Sequence, residues 1–246
     1  MAENEATFVI ARYDPEEDRR WEQTYTIPVR PGMTVLEALW HIVRHVDGSL
    51  AFRYSCRGAV CGSCAMIIGE TITLACHTQV SDLGDGPIRV EPLPRMRVLK
   101  DLVVDMDAFL EKFRSIDPYL VHGGKHDREV VQTPEARRRI FDSVKCILCA
   151  SCHGACPLTA LDEEYLGPAV LNAAHRFAFD DRNDRQSEML VHVNRVEGAQ
   201  GCRTISRCTE VCPKDIRPSI RIKELNEEIR VRSGEGTLNS GKKEST

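Results

Sequence analysis

Cys146-Ile-Leu-Cys149-Ala-Ser-Cys152-His-Gly-Ala-Cys156-Pro157 and Cys202-Arg-Thr-Ile205-Ser-Arg-Cys208-Thr-Glu-Val-Cys212-Pro213 share one frame. In each run, three slots are spaced by two residues, and a Cys-Pro follows the third after three more. The first run fills every slot with cysteine. The second puts Ile205 where the first has Cys149. Together the runs hold seven of the eleven cysteines in a 246-residue chain.

This is the spacing of bacterial ferredoxins, in which the fourth Cys of one run ligates the cluster of the other. Crossing over gives Cys146, Cys149, Cys152 and Cys212, four thiolates for a [4Fe–4S] cluster. It leaves Cys156, Cys202 and Cys208 with an apolar side chain, Ile205, at the fourth corner. A cubane with one unligated corner tends to lose that iron, so three thiolates imply a [3Fe–4S] cluster.

The other four cysteines are Cys56, Cys61, Cys64 and Cys76. Four residues between the first two and two between the next match the plant-type [2Fe–2S] spacing. Gly58 and Gly62 suit a loop that must turn tightly and aim amide N–H groups at anionic sulfur. Arg53 and Arg57 stand beside it, either as cations that tune the centre or as ordinary exposed charges. Structural zinc also takes four thiolates and is the competing reading of any single pair. Three groups that use every cysteine favour iron–sulfur ligation in a reducing compartment.

The elements around this loop have the order of a β-grasp domain. Strands are expected at Thr7 to Tyr13 and Trp21 to Val29, and a capping box at Thr34-Val-Leu-Glu37 opens a helix to about Val46. His41 and His45 lie four apart on that helix, without a third metal ligand nearby, and read as a solvated or core-edge pair. Between Cys64 and Cys76 a hairpin should turn at Gly69-Glu70, and Pro87 to Leu93 supplies a last strand.

Val98 to Ile116 has helical periodicity, and the polar stretch from Tyr119 to Gln132 reads as a connection. Thr133-Pro134, Gly167-Pro168 and Pro218 open helices, the last running to about Arg232. The expected class is α+β: a β-grasp plant-type ferredoxin domain (1–107) and a connecting segment (108–132), then an all-α bacterial-ferredoxin-like domain (133–232) and a disordered tail (233–246). A net charge of −4 with mixed signs gives no footprint for nucleic acid. The acidic start lacks the regions of a signal peptide. No apolar run approaches the ~20 residues of a membrane span, so the chain is expected to be soluble by itself.

With these motifs the chain resembles the iron–sulfur subunit of succinate dehydrogenase and fumarate reductase, the succinate:quinone oxidoreductase family. Further matching stretches are Tyr54-Ser-Cys56-Arg57, Arg114-Ser-Ile-Asp-Pro-Tyr-Leu120, Leu166-Gly-Pro-Ala169 and Cys212-Pro-Lys214. The resemblance implies a respiratory complex II in which a flavoprotein with covalent FAD oxidises succinate. This chain would relay the electrons through [2Fe–2S], [4Fe–4S] and [3Fe–4S] to a quinone in a membrane-anchor subunit, which can itself hold haem b. No dicarboxylate chemistry is implied on this chain, and the anchor would hold it at the cytoplasmic face of the inner (plasma) membrane. A quinol:fumarate reductase running the relay in reverse is the alternative, and a soluble adaptor of another flavoprotein dehydrogenase a more remote one.

By family position the candidate quinone contacts are Pro157, Arg203 and Ile205. Ubiquinone-using members carry a Trp pair after the Cys-Pro of the first run and a His after the first Cys of the second. Here those positions are Ala160, Leu161 and Arg203, which resembles the menaquinone-linked members more closely.

Overall fold

A computed structural model describes residues 4–123 and 129–238. The chain separates into two compact units: residues up to Met106 with Ile147–Ala155, and Asp107–Cys146 with residues from Cys156 onward.

The first unit is built on a mixed five-stranded sheet. Its strands are β1 (Glu5–Asp14), β2 (Arg19–Pro28), β3 (Ala65–Ile68), β4 (Thr71–Leu74) and β5 (Ile88–Glu91), in the order β2-β1-β5-β3-β4. Only the β1–β5 pair is parallel, with Phe8 opposite Ile88. Alternation along β1 buries Phe8, Ile10 and then Arg12, so the core side of this strand ends in a charge. Helix α1 (Val35–His45) starts at the expected capping box, in which Thr34 and Glu37 bond each other's backbone amides. It buries Val35, Leu36, Ala38, Leu39 and Ile42. The β3–β4 hairpin turns at Gly69, whose φ of +62° suits a residue without a Cβ.

Helical periodicity over Val98 to Ile116 is overruled. Val98–Lys100 and Val103–Val104 form a short antiparallel pair, β6 and β7, and only Asp107–Arg114 is helix α2. The cause is long-range. The Asp101 carboxylate accepts from Arg12 Nε at 2.9 Å, from the Tyr13 amide at 3.1 Å and from the Ala51 amide at 2.8 Å. Its own amide donates to the Tyr13 carbonyl, which holds the segment as a turn on β1. The Arg12 guanidinium also bonds Asp47, Gln23, Tyr25 and Ser49, so this buried cation is fully paired.

The second unit is helical: α2, α3 (Pro134–Ile140), α5 (Leu158–Leu161), α6 (Pro168–Ala178), α7 (Gln186–Val193), α8 (Arg207–Glu210) and α9 (Pro218–Gly234). The intervening α4 (Ser151–Ala155) belongs to the first unit. Helix α6 is almost wholly buried and shares its core with Leu190, Val193, Ile222, Leu225 and Ile229. Thr133 caps α3, with Pro134 in the first turn.

Two expected boundaries move. Helix α2 lies in the second unit rather than opening a connection, and its Lys112 ammonium donates to the Tyr165 carbonyl at 3.0 Å. Helix α9 runs to Gly234, and Leu238 packs on the core, so the start of the expected disordered tail is ordered. Residues 239–246 of that tail, and residues 124–128 of the expected connection, lie outside the described residues.

Candidate metal centres

In the first unit, the loop from Cys56 to Cys61 wraps its backbone around sulfur. The amides of Gly58, Val60 and Cys61 donate to Cys56 Sγ at 3.4, 3.3 and 3.2 Å. The Ala59 amide donates to Cys76 Sγ at 3.4 Å, and the Cys56 amide to Cys61 Sγ at 3.4 Å. Arg57, Ala59 and Gly62 have φ of +56°, +55° and +74°, the left-handed turns that point successive N–H groups inward. Such a nest favours negative charge. Burial pushes the Cys61 thiol up, but the Cys56 amide and the Ser63 amide and hydroxyl outweigh it and bring it down to about 6. Cys64, more deeply buried, is pushed up to about 12.

The far side of the loop meets the other cysteine run. A Cβ on Gly62 would lie 2.7 Å from Cys149 Cβ, 2.8 Å from Cys149 Cα and 3.0 Å from the Ile147 carbonyl oxygen. Glycine is therefore required here twice, by its positive φ and by this approach. Arg57 and Arg44 lie over the Trp40 ring at 5.6 and 4.3 Å, and line a cleft of about 520 Å³ with His41, His45 and Cys76. The His41 and His45 rings are 4.7 Å apart.

The shared frame of the two runs is carried by their backbones. Cys146 and Cys202 each end a 3₁₀ turn, with φ/ψ of −62°/125° and −63°/123°. Leu148 and Ala150 flank Cys149 at φ of +52° and +62°, and Thr204 and Ser206 flank Ile205 at +55° and +66°. A short helix follows in both, α4 with Cys152 and α8 with Cys208. Ile205 thus occupies the conformation of a ligand slot with a side chain that cannot ligate.

In the second unit, Cys156, Cys202 and Cys208 line one cavity with Pro157, Tyr165, Arg203 and Ile205. Burial, then the neighbouring Cys156 and Cys202, pushes the Cys208 thiol up to about 11. Of the three candidate quinone contacts, all line this cavity, whose volume of about 20 Å³ is roughly that of one water. Tyr165, which sequence reasoning did not single out, is 2 % exposed. Its hydroxyl has no hydrogen bond of good geometry to any described residue.

Among the described residues, no three His, Cys, Asp or Glu side chains converge as a single metal ion requires. Clusters differ, because their ligands stand around an inorganic core wider than one ion. The amide nest and the buried Tyr165 hydroxyl both face cysteine sulfur, and both fit an anionic iron–sulfur core.

Residues 7–111 match the 2Fe-2S iron-sulfur cluster binding domain family, and residues 142–216 the 4Fe-4S dicluster domain family. The chain is 37% identical over 214 residues to the fumarate reductase iron-sulfur subunit of Mycobacterium tuberculosis, covering 85% of this chain and 87% of the relative. It belongs to the iron–sulfur subunits of the succinate dehydrogenase/fumarate reductase family. The fumarate reductase iron-sulfur subunit of Escherichia coli O6:H1 is 34% identical over 218 residues, covering 87% of this chain and 89% of the relative. A solved structure described as the Mycobacterium smegmatis Sdh1 complex in the apo form superposes with a TM-score of 0.85. It is 27% identical and covers 95% of this chain and 98% of that one. This iron–sulfur subunit is an electron-transfer protein with a [2Fe–2S] β-grasp domain and a helical 4Fe–4S dicluster domain. Among the described residues no helix is long and apolar enough to cross a membrane.

Proposed function

We propose that this subunit joins a FAD-bearing flavoprotein to a membrane quinone, with Cys56, Cys61, Cys64 and Cys76 holding [2Fe–2S]. Cys146, Cys149, Cys152 and Cys212 hold [4Fe–4S], and Cys156, Cys202 and Cys208 hold [3Fe–4S]. Such clusters supply single-electron carriage without making bonds, which leaves spacing, insulation and tuning to the protein. The observation that carries the relay is the seating of Cys149 on Gly62, because it brings a ligand of the second centre against the loop of the first. The alternating left-handed residues around Ile205 support a three-iron third centre, since the slot is formed and only its thiolate is missing.

The quinone contacts follow from position and space. Pro157, Arg203 and Ile205 border the third centre, yet the cavity among them is too small for a quinone ring. Ile205 is 52 % and Leu161 81 % exposed, apolar surface that suits a membrane-anchor subunit completing the site. Without the Trp pair, menaquinone is the preferred acceptor.

Succinate oxidation is the working direction. Fumarate reduction is the second reading, favoured by the names of the relatives at 34–37% identity. EPR of the anaerobically purified complex should show three centres, including an oxidised three-iron signal, and absence of that signal sinks the third assignment. Succinate-driven menaquinone reduction faster than menaquinol-driven fumarate reduction supports the first direction, and the reverse order the second.

A further inference from the structure

The Tyr165 hydroxyl is buried without a good partner, a costly arrangement that phenylalanine would avoid. Its position is not slack. The Tyr165 carbonyl accepts from Lys112, and the next amide, that of Leu166, donates to the Glu197 carbonyl at 2.7 Å. The ring lies against Gly201, where a Cβ would stand 3.3 and 3.4 Å from two ring carbons. The phenol is thus held in the wall of the cavity that Cys156, Cys202 and Cys208 line, beside the residue that precedes Cys202.

We propose that the Tyr165 hydroxyl donates a hydrogen bond to the sulfur shell of the centre held by Cys156, Cys202 and Cys208, and that this bond raises the centre's reduction potential. The inference rests on the three-iron assignment above. Reduction adds one electron, delivered by the preceding iron–sulfur centre, and so adds negative charge to the sulfurs. A fixed O–H dipole stabilises the reduced form more than the oxidised form, and hydrogen bonds to sulfur are a recognised determinant of cluster potential. No bond at Tyr165 forms or breaks, and the proton stays on its oxygen. Tyr165 is a positioning residue that acts through the ligand shell.

The test is redox-poised EPR on the complete complex carrying Tyr165→Phe. Loss of the hydroxyl should shift the three-iron oxidised/reduced equilibrium about tenfold toward oxidised, about 59 mV downward for one electron. The [2Fe–2S] and [4Fe–4S] potentials and the amount of each centre should stay unchanged. Site-specific 3-fluorotyrosine at position 165, a stronger donor of nearly the same size, should shift the same potential upward, and it decides the matter if the Phe variant fails to assemble. A three-iron signal at wild-type potential in both variants overturns the role of Tyr165 while leaving the cluster assignment intact. Absence of any three-iron signal from the wild-type complex overturns the assignment itself.

Discussion

In the Cys56–Cys61 loop, five backbone amides face cysteine sulfur at 3.2–3.4 Å, and Cys56 is exposed. Around Cys156, Cys202 and Cys208 the neighbours include Leu158, Tyr165, Pro168 and Ile222, and two of the three cysteines are buried. The first site is shaped by main chain, the second by packed side chains. Main-chain shape depends on where the chain can turn, so that site should be fragile to a single methyl and tolerant of distant repacking. The second should keep its fold through side-chain exchange but change its electronic properties.

The largest effect expected from this contrast is at Gly62. Gly62→Ala combines a positive φ with a clash against the Cys149 backbone, and should abolish the [2Fe–2S] signal and lower the yield of folded protein. Cys76→Ala, which removes a ligand and leaves the backbone alone, should erase the same signal while both other centres persist. Loss of all three signals in Cys76→Ala would show that the two sites are not independent.

Next in size is Ile205→Cys. The slot already has the backbone of its counterpart at Cys149, so the new thiolate should convert the third centre to [4Fe–4S] and lower its potential. An unchanged three-iron EPR signal would break the pairing of the two runs.

Arg12→Ala tests stability without touching a sulfur. Stranding Asp101 and Asp47 should cost about 3–5 kcal/mol, read as a lower Tm of the first unit with the three-iron signal of the second intact. The smallest effect is Thr34→Ala, about 1 kcal/mol from loss of the cap. The amides of Val35 and Leu36 bond the Thr78 and Ala75 carbonyls, so this loss should loosen the Cys76 side of the loop slightly. The Thr34 amide foremost holds the Glu37 carboxyl below its usual range. Since the folded value is the lower one, this stabilisation is whole above about pH 4.3 and fades as pH falls through the folded value. The acid limb of a Tm–pH profile should be shallower in Glu37→Gln.

Features written in adjacent residues were legible from the sequence. The Thr34 capping box, the Gly69 turn, the Thr133-Pro134 cap and the overlay of Ile205 on Cys149 each depend on a few neighbours and a backbone preference. What was not legible depends on partners far along the chain. Leu102, Val103 and Met106 have helical spacing, but Asp101 is claimed by Arg12, 89 residues away, and the segment turns. Nothing in Ile147–Ala155 marks it for the first unit, because what receives it is a glycine's missing side chain. Tyr165 reads as a core aromatic until its hydroxyl is placed beside Cys202.

The way the Cys56–Cys61 loop holds its amides has a kinetic consequence. An environment that must turn its dipoles when an electron arrives adds a reorganisation barrier to every transfer. These five N–H groups are fixed by the peptide planes and left-handed turns of the loop, so they already point where the added charge will sit. They act as a solvent oriented once, during folding, and electron exchange at this centre should need little further motion of the protein.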